Sequence, residues 1–164
     1  MTFFAGTWGP DHDDDLVNAI AEIISLRAAE VVATIPGVPG IGTPSVHNVI
    51  FPRALAVNSI CVDWGGTDID EEKHSIDATI EIQYLYRSLQ RDTADRVLRV
   101  VLGRIRRIIR EDRPGFLRAG GWSLVDSALN VGTIADADFY ENPNAQRYEG
   151  GKLILTMKNA IYRR

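Results

Sequence analysis

The sequence predicts an α+β fold: a mostly antiparallel sheet of about four to five strands with two helices packed on one face, in the order α-β-β-β-α-β-β. Three observations carry this. First, residues alternate from Ser75 to Tyr86, with Ile76, Ala78, Ile80, Ile82, Tyr84 and Tyr86 on one side and Asp77, Thr79, Glu81 and Gln83 on the other. Period two over that length is a strand with one buried face. Second, the period then changes. At about 100° per residue, Ala94, Val97, Leu98, Val101, Leu102, Ile105, Ile108 and Ile109 share one side of a helix. Arg96, Arg99, Arg104, Arg106, Arg107 and Arg110 share the other, with Val100 the only large apolar residue among them. Such a helix lays its apolar stripe on the sheet and turns a basic ridge outward. Third, the remaining β-rich runs are short and close together, which favours hairpin-like neighbours.

Residues 1–10 form an N-terminal arm. Phe3, Phe4 and Trp8 are too apolar for a free tail, and Gly6, Gly9 and Pro10 oppose a regular element. The arm docks either on a neighbouring subunit or on its own core. A single α+β domain follows over 11–164.

The first helix is expected from Asp11 to about Ala33, where Leu16, Val17, Ile20, Ile23, Ile24 and Val31 recur at helical spacing. The run Asp11-His12-Asp13-Asp14-Asp15 supplies a cap and complements the helix dipole. It lacks the glycine turn and distal glutamate of a calcium loop. Residues 36–45, PGVPGIGTPS, exclude helix and interrupt any strand. They carry neither G-K-[ST] nor G-x-G-x-x-G, so they cradle no phosphate. Strands are expected over Val46–Phe51 and Ala54–Trp64. Gly65-Gly66-Thr67-Asp68 reads as a turn, and Asp68, Asp70, Glu71 and Glu72 as a solvated connection to the Ser75 strand. Pro114-Gly115 stops the arginine helix. A strand is expected from Trp122 to about Ile134, then a polar stretch over Asp136–Tyr148. Gly150-Gly151 opens a last strand from Lys152 to about Ile161.

Composition narrows the function. The chain has 164 residues, 45% apolar and 24% charged, as in an ordinary globular protein. No apolar run approaches the roughly 18 residues of a membrane span, so no membrane partner is expected. Met1 to Gly6 has neither the basic region nor the apolar run of a signal peptide, and none is expected. The single Cys61 cannot form an internal disulfide, which fits a reducing compartment. The net charge of −4 hides an asymmetry: residues 1–75 hold eleven acids and three bases, residues 76–164 eleven acids and fifteen bases. Such a split either builds a dipolar surface for self-association or is neutralised within one fold.

No catalytic residue, metal site or cofactor is expected. His12, His47 and His74 lie in separate segments without ligand-spaced partners. No nucleophile elbow, H-E-x-x-H or Ser/His/Asp order occurs, and the paired carboxylates, Asp63, Asp68 and Asp70 among them, lie in acidic, solvated runs. The arginines are the sharper signal, and two readings compete for them. A basic ridge can lie along phosphates, making the Arg96–Arg110 helix a nucleic-acid-binding module. Against this stand a sequence pI of about 5.3, the flanking Asp92, Asp95, Glu111 and Asp112, and the lack of interleaved aromatics for base stacking. Arginine is also favoured at protein interfaces, where its fork pairs with carboxylates. The candidate subunit or partner interface is therefore Arg96, Arg99, Arg104, Arg106, Arg107 and Arg110 with Asp68, Asp70, Glu71 and Glu72, and Phe3, Phe4 and Trp8 are the candidate docking arm.

The helix followed by a PGVPG loop, the hairpin strands, the strand IDATIEIQYLYRS leading through Asp92 into an amphipathic helix, and the closing GGKLILTM strand resemble the tail terminator (tail completion) proteins of long-tailed bacteriophages. The resemblance covers about residues 11–162. It implies a non-enzymatic virion protein at the head–tail junction, assembled in the host cytoplasm as a hexameric ring. Such a ring caps the tail tube, ends its polymerisation and offers a surface to head-completion or neck proteins. DNA passes its lumen without sequence reading. A neck or head-closure protein of the same virion is the near alternative.

Overall fold

The alternating segment forms β3 (Ser75–Tyr86), the middle strand of a five-stranded sheet in a computed structural model that describes residues 12–48, 58–72, 75–86, 91–111, 122–133 and 149–160. Its neighbours are β2 (Ser59–Asp70) and β5 (Glu149–Ala160), both antiparallel to it. Beyond them lie β1 (Ser45–His47), which runs parallel to β2, and β4 (Ser123–Thr133), antiparallel to β5. The helices are α1 (His12–Leu26), α2 (Ala28–Val32) and α3 (Arg91–Glu111). The element order and mostly antiparallel sheet agree with the sequence reading. The arm residues Phe3, Phe4 and Trp8 lie outside the described residues.

One face of the sheet carries the core. Ile60 and Val62 of β2, Ala78, Ile80, Ile82 and Tyr84 of β3, and Leu153, Leu155 and Met157 of β5 meet Leu16, Ile20 and Ile24 of α1. All eight apolar-stripe residues of α3 are buried against them. Burying each large aliphatic side chain contributes about 1.5–3 kcal/mol, so this one-sided core holds the helices down. The opposite face is a ladder of polar rows. Asp68 stands across from Asp77, which stands across from Lys158. Asp63 faces Glu81 in another row, and Lys152 reaches Glu81 at 3.5 Å.

Two elements depart from the sequence reading. The first helix breaks at Arg27, whose φ of −118° and ψ of 18° are not helical. The sequence has neither Gly nor Pro there. The break turns Ala28, Val31 and Val32 inward, so that α2 packs on α3 rather than extending away from it. The second departure is at Gly65-Gly66, which is no turn: β2 runs through it to Asp70. A bulge lies between Trp64 and Gly66. Gly66 has a φ of +138°, and a Cβ on Gly65 would come within 3.1 Å of the Thr79 backbone. The glycine pair serves a bulge and a close strand approach, not chain reversal. Asp68 and Asp70 are therefore strand residues, and only Glu71-Glu72 belong to the turn.

A second bulge in β4 separates Leu124 from Asp126. The two bulges share a row, because Gly66 pairs with Thr79, Thr79 with Thr156, and Thr156 with Asp126. At each, an aspartate accepts from the next backbone N–H: Asp63 from Trp64 and Asp126 from Ser127, both at 2.8 Å. Bulges increase local twist. This level of the sheet separates the core-covered part from the outer end of the β2–β3 hairpin.

Other boundaries also move. The expected Val46–Phe51 strand is confined to β1 among the described residues. Gly150 and Gly151 lie inside β5 and pair with Leu85 and Tyr84. The PGVPG loop is ordered on the core, with Ile35 buried and Val38 and Ile41 packed against it.

Candidate interaction surface

α3 keeps its amphipathic pattern but does not present six free guanidiniums. Arg104 and Arg106 sit on opposite borders of the apolar stripe, where long stems can lie along the core and the heads reach neighbouring elements. Arg104 turns to α2. Its Nη1 donates to the carbonyls of Val31 at 3.1 Å and Ala33 at 2.5 Å, and Nη2 donates to Thr34 O at 3.3 Å. Arg106 turns to β4, where Nε donates to Ser127 Oγ at 2.7 Å and Nη2 to Ser127 O at 3.2 Å. Both are half-buried structural clamps.

Arg96, Arg99, Arg107 and Arg110 remain exposed. Arg96 donates to Pro36 O at 3.2 Å, tying α3 to the PGVPG loop. Arg99 bonds within its own helix to Asp95 O. Arg110 has a long 3.5 Å contact to Ser127 Oγ. The Arg107 side chain is 81% exposed and pairs with Glu111 at 2.8 Å.

The C-terminal part of α3 and the α1–α2 break enclose a cleft of about 290 Å³, lined by Arg27, Glu30, Val31, Arg104, Arg107, Ile108 and Glu111. Arg27 grips Glu30 through Nε and Nη2 at 3.0 and 2.8 Å and reaches Glu111 at 3.4 Å. Neither Arg27 nor Glu30 was singled out by sequence reasoning; only the unforeseen break at Arg27 brings them to α3. The hydrogen bond from Arg107 holds the Glu111 carboxyl below its ordinary value of 4.5, with partial desolvation opposing it and Arg27 assisting. A depressed folded-state pKa contributes stability above the unfolded value, and that contribution is lost as pH falls through the folded one. Glu111→Gln should thus melt slightly below the parent at neutral pH, by the small amount typical of surface pairs. The gap should close as pH is taken well below 4.5 in paired thermal melts; a gap that stays constant would show that the charge of Glu111 contributes nothing.

The acidic set lies elsewhere. Asp68, Glu71 and Glu72 are exposed at the outer end of the β2–β3 hairpin, where Asp70 pairs with Ser75. No described contact joins these acids to the arginines. Among the described residues no group of His, Cys, Asp or Glu could hold a metal ion, and no helix is long and apolar enough to cross a membrane. Cys61 is buried, and desolvation together with Asp63 pushes its thiol up to about 11, so it is a poor nucleophile.

Fold and surface together define an α+β domain with helices on one sheet face, a charged opposite face, and separate acidic and basic surfaces. No protein-family model matches the sequence, and no curated protein matches it.

Proposed function

We propose that this protein is a structural subunit of a long-tailed phage virion. It assembles into a ring, hexameric in the terminator family it resembles, that caps the tail tube at the head–tail junction, ends polymerisation and receives head-completion or neck proteins. One observation carries the reading. Two of the segments that carry the resemblance supply adjacent strands: residues 76–86 of IDATIEIQYLYRS lie in β3 and GGKLILTM in β5, and the two strands pair along their length. The first leads into the amphipathic α3 as that resemblance requires. Segregated acidic and basic surfaces suit head-to-tail contact, which closes rings.

The reading predicts a ring-sized particle in light scattering at micromolar concentration and annular particles in negative stain, with binding to tail-tube protein. A monomer under all these conditions would sink it. The alternative, a nucleic-acid module on the Arg96–Arg110 helix, is weakened because Arg104 and Arg106 are spent on internal carbonyls and Ser127. A mobility shift with duplex DNA at low salt distinguishes the two. Salt-sensitive binding that drops when Arg99 and Arg107 become Ala would favour the alternative.

A further inference from the structure

Exposed large hydrophobic side chains are rare among the described residues. Among the described residues there are three: Leu26, 80% exposed, Ile69, 58% exposed, and Val125. Leu26 ends α1 and precedes Arg27, one of the residues that line the cleft. Ile69 lies at the outer end of β2, between Asp68 and Asp70. Each of these two surfaces therefore couples one unburied aliphatic residue to charge of one sign. Single exposed apolar side chains are ordinary on a protein surface; what sets these two apart is the charge beside each.

The two surfaces are opposite in sign. The hairpin end carries Asp68, Glu71 and Glu72, all exposed. The cleft is lined by Arg27, Arg104 and Arg107 against Glu30 and Glu111, a net excess of one positive charge, with the Arg107 guanidinium the most accessible. A cleft of about 290 Å³ lined mostly by charged side chains is unlike the site of a drug-sized ligand, since such sites are mostly apolar. Its volume has room for a few side chains of a partner. The bulge at Trp64/Gly66 bends the strand that carries these acids, re-aiming its outer end.

We infer that the occupant of the cleft is a second copy of this chain. The outer end of the β2–β3 hairpin of one subunit docks at the α1–α3 cleft of the next, with Glu71 and Glu72 toward Arg107 and Arg27, and Ile69 against Leu26. The contact joins unlike surfaces, so it repeats around a closed assembly rather than stopping at a dimer. This rests on the ring reading and adds to it which surfaces meet.

The test is charge exchange read by light scattering and sedimentation. Glu71→Lys with Glu72→Lys reverses the hairpin; Arg107→Glu reverses the cleft. All three residues are exposed, and circular dichroism checks that each variant keeps its fold. Each variant alone should associate at least about tenfold more weakly than the parent, since like charges face each other. Mixing the two variants should restore assembly. One contact in each repeat is then native, and the other sets a lysine hairpin against a glutamate cleft. Assembly of the parent should also weaken as salt is raised, because the charges are exposed. A parent that assembles while both variants assemble equally well overturns this inference and leaves the ring reading standing. Variants that each fail to assemble and are not restored by mixing overturn it too. A parent that stays monomeric overturns the ring reading and this inference with it.

Discussion

Replacing Asn58 with alanine should lower the unfolding free energy by about 2–4 kcal/mol and the thermal midpoint by roughly 5–15 °C. Asn58 precedes β2 in the left-handed region, with a φ of +67°. Asparagine tolerates that conformation better than alanine, for which it costs about 1–2 kcal/mol. The side chain bridges two segments. Its Nδ2 donates to Gly42 O, and its Oδ1 accepts from the Tyr84 hydroxyl, both at 2.7 Å. The backbone completes the junction, since Asn58 N–H donates to Leu85 O and Asn58 O accepts from Ser45 N. The PGVPG loop, β1, β2 and β3 thus meet at one residue.

Tyr84 sets the size of the effect. Its side chain is fully buried, and desolvation holds its phenol well above the ordinary tyrosine value, so the hydroxyl remains a donor in need of an acceptor. Removing the acceptor leaves a buried hydroxyl unpaired, at about 1–3 kcal/mol. Tyr84→Phe removes the donor instead and leaves the half-exposed Asn58 amide free to take water, so it should cost only about 1 kcal/mol. Asn58→Gly should restore the backbone part alone. The double variant Asn58→Ala with Tyr84→Phe should be less destabilised than the sum of its parts, because the two residues share one bond. Denaturant melts of the four proteins check this. Strict additivity, or an Asn58→Ala protein as stable as the parent, would remove Tyr84 from the account.

Why some of the architecture was legible and some was not follows from the range of the interactions. β3 and α3 were readable to within a residue or two because their signal is local: the period changes from two to 3.6 across Arg87–Gln90, and one apolar face persists through each. Gly65-Gly66 was misread because glycine reports only that a side chain would not fit. It does not say whether the obstacle is a turn or a neighbouring strand, and here Thr79 is the obstacle. The break at Arg27 has no local signal at all; packing of Val31 and Val32 on α3 decides it. The basic ridge was half legible. The side of the helix was right, yet a helical wheel treats every polar position alike. Arg104 and Arg106 flank the stripe, and whether a flanking arginine meets water or carbonyls depends on what the fold sets beside it.

That distinction can be measured at Arg104. Arg104→Ala should cost about 2 kcal/mol and lower the thermal midpoint by roughly 4–8 °C, with little effect on self-association. The last carbonyls of a helix have no partners within it. α2 is only five residues long, so nearly all of its carbonyls are in that position. The chain then leaves α2 through Ala33, which is extended, and Thr34, at a φ of +46°. One guanidinium meets the carbonyls of Glu30, Val31, Ala33 and Thr34, so it stands in for the missing next turn. Bonds from a charged donor contribute more than neutral ones, but Arg104 is half-buried and water can replace part of the set, which keeps the estimate near 2 kcal/mol. Lysine keeps the charge without the planar fork and should recover less than half of the loss. Methionine keeps an apolar stem of similar length without any donor and separates packing from capping. Hydrogen exchange at residues 33–38 should speed up in the alanine and methionine variants alike. The opposite pattern is expected at Arg107, where Arg107→Glu should leave the melt nearly unchanged and weaken assembly. An Arg104→Ala protein that melts like the parent yet fails to assemble would return Arg104 to the exposed ridge and overturn its assignment as a clamp.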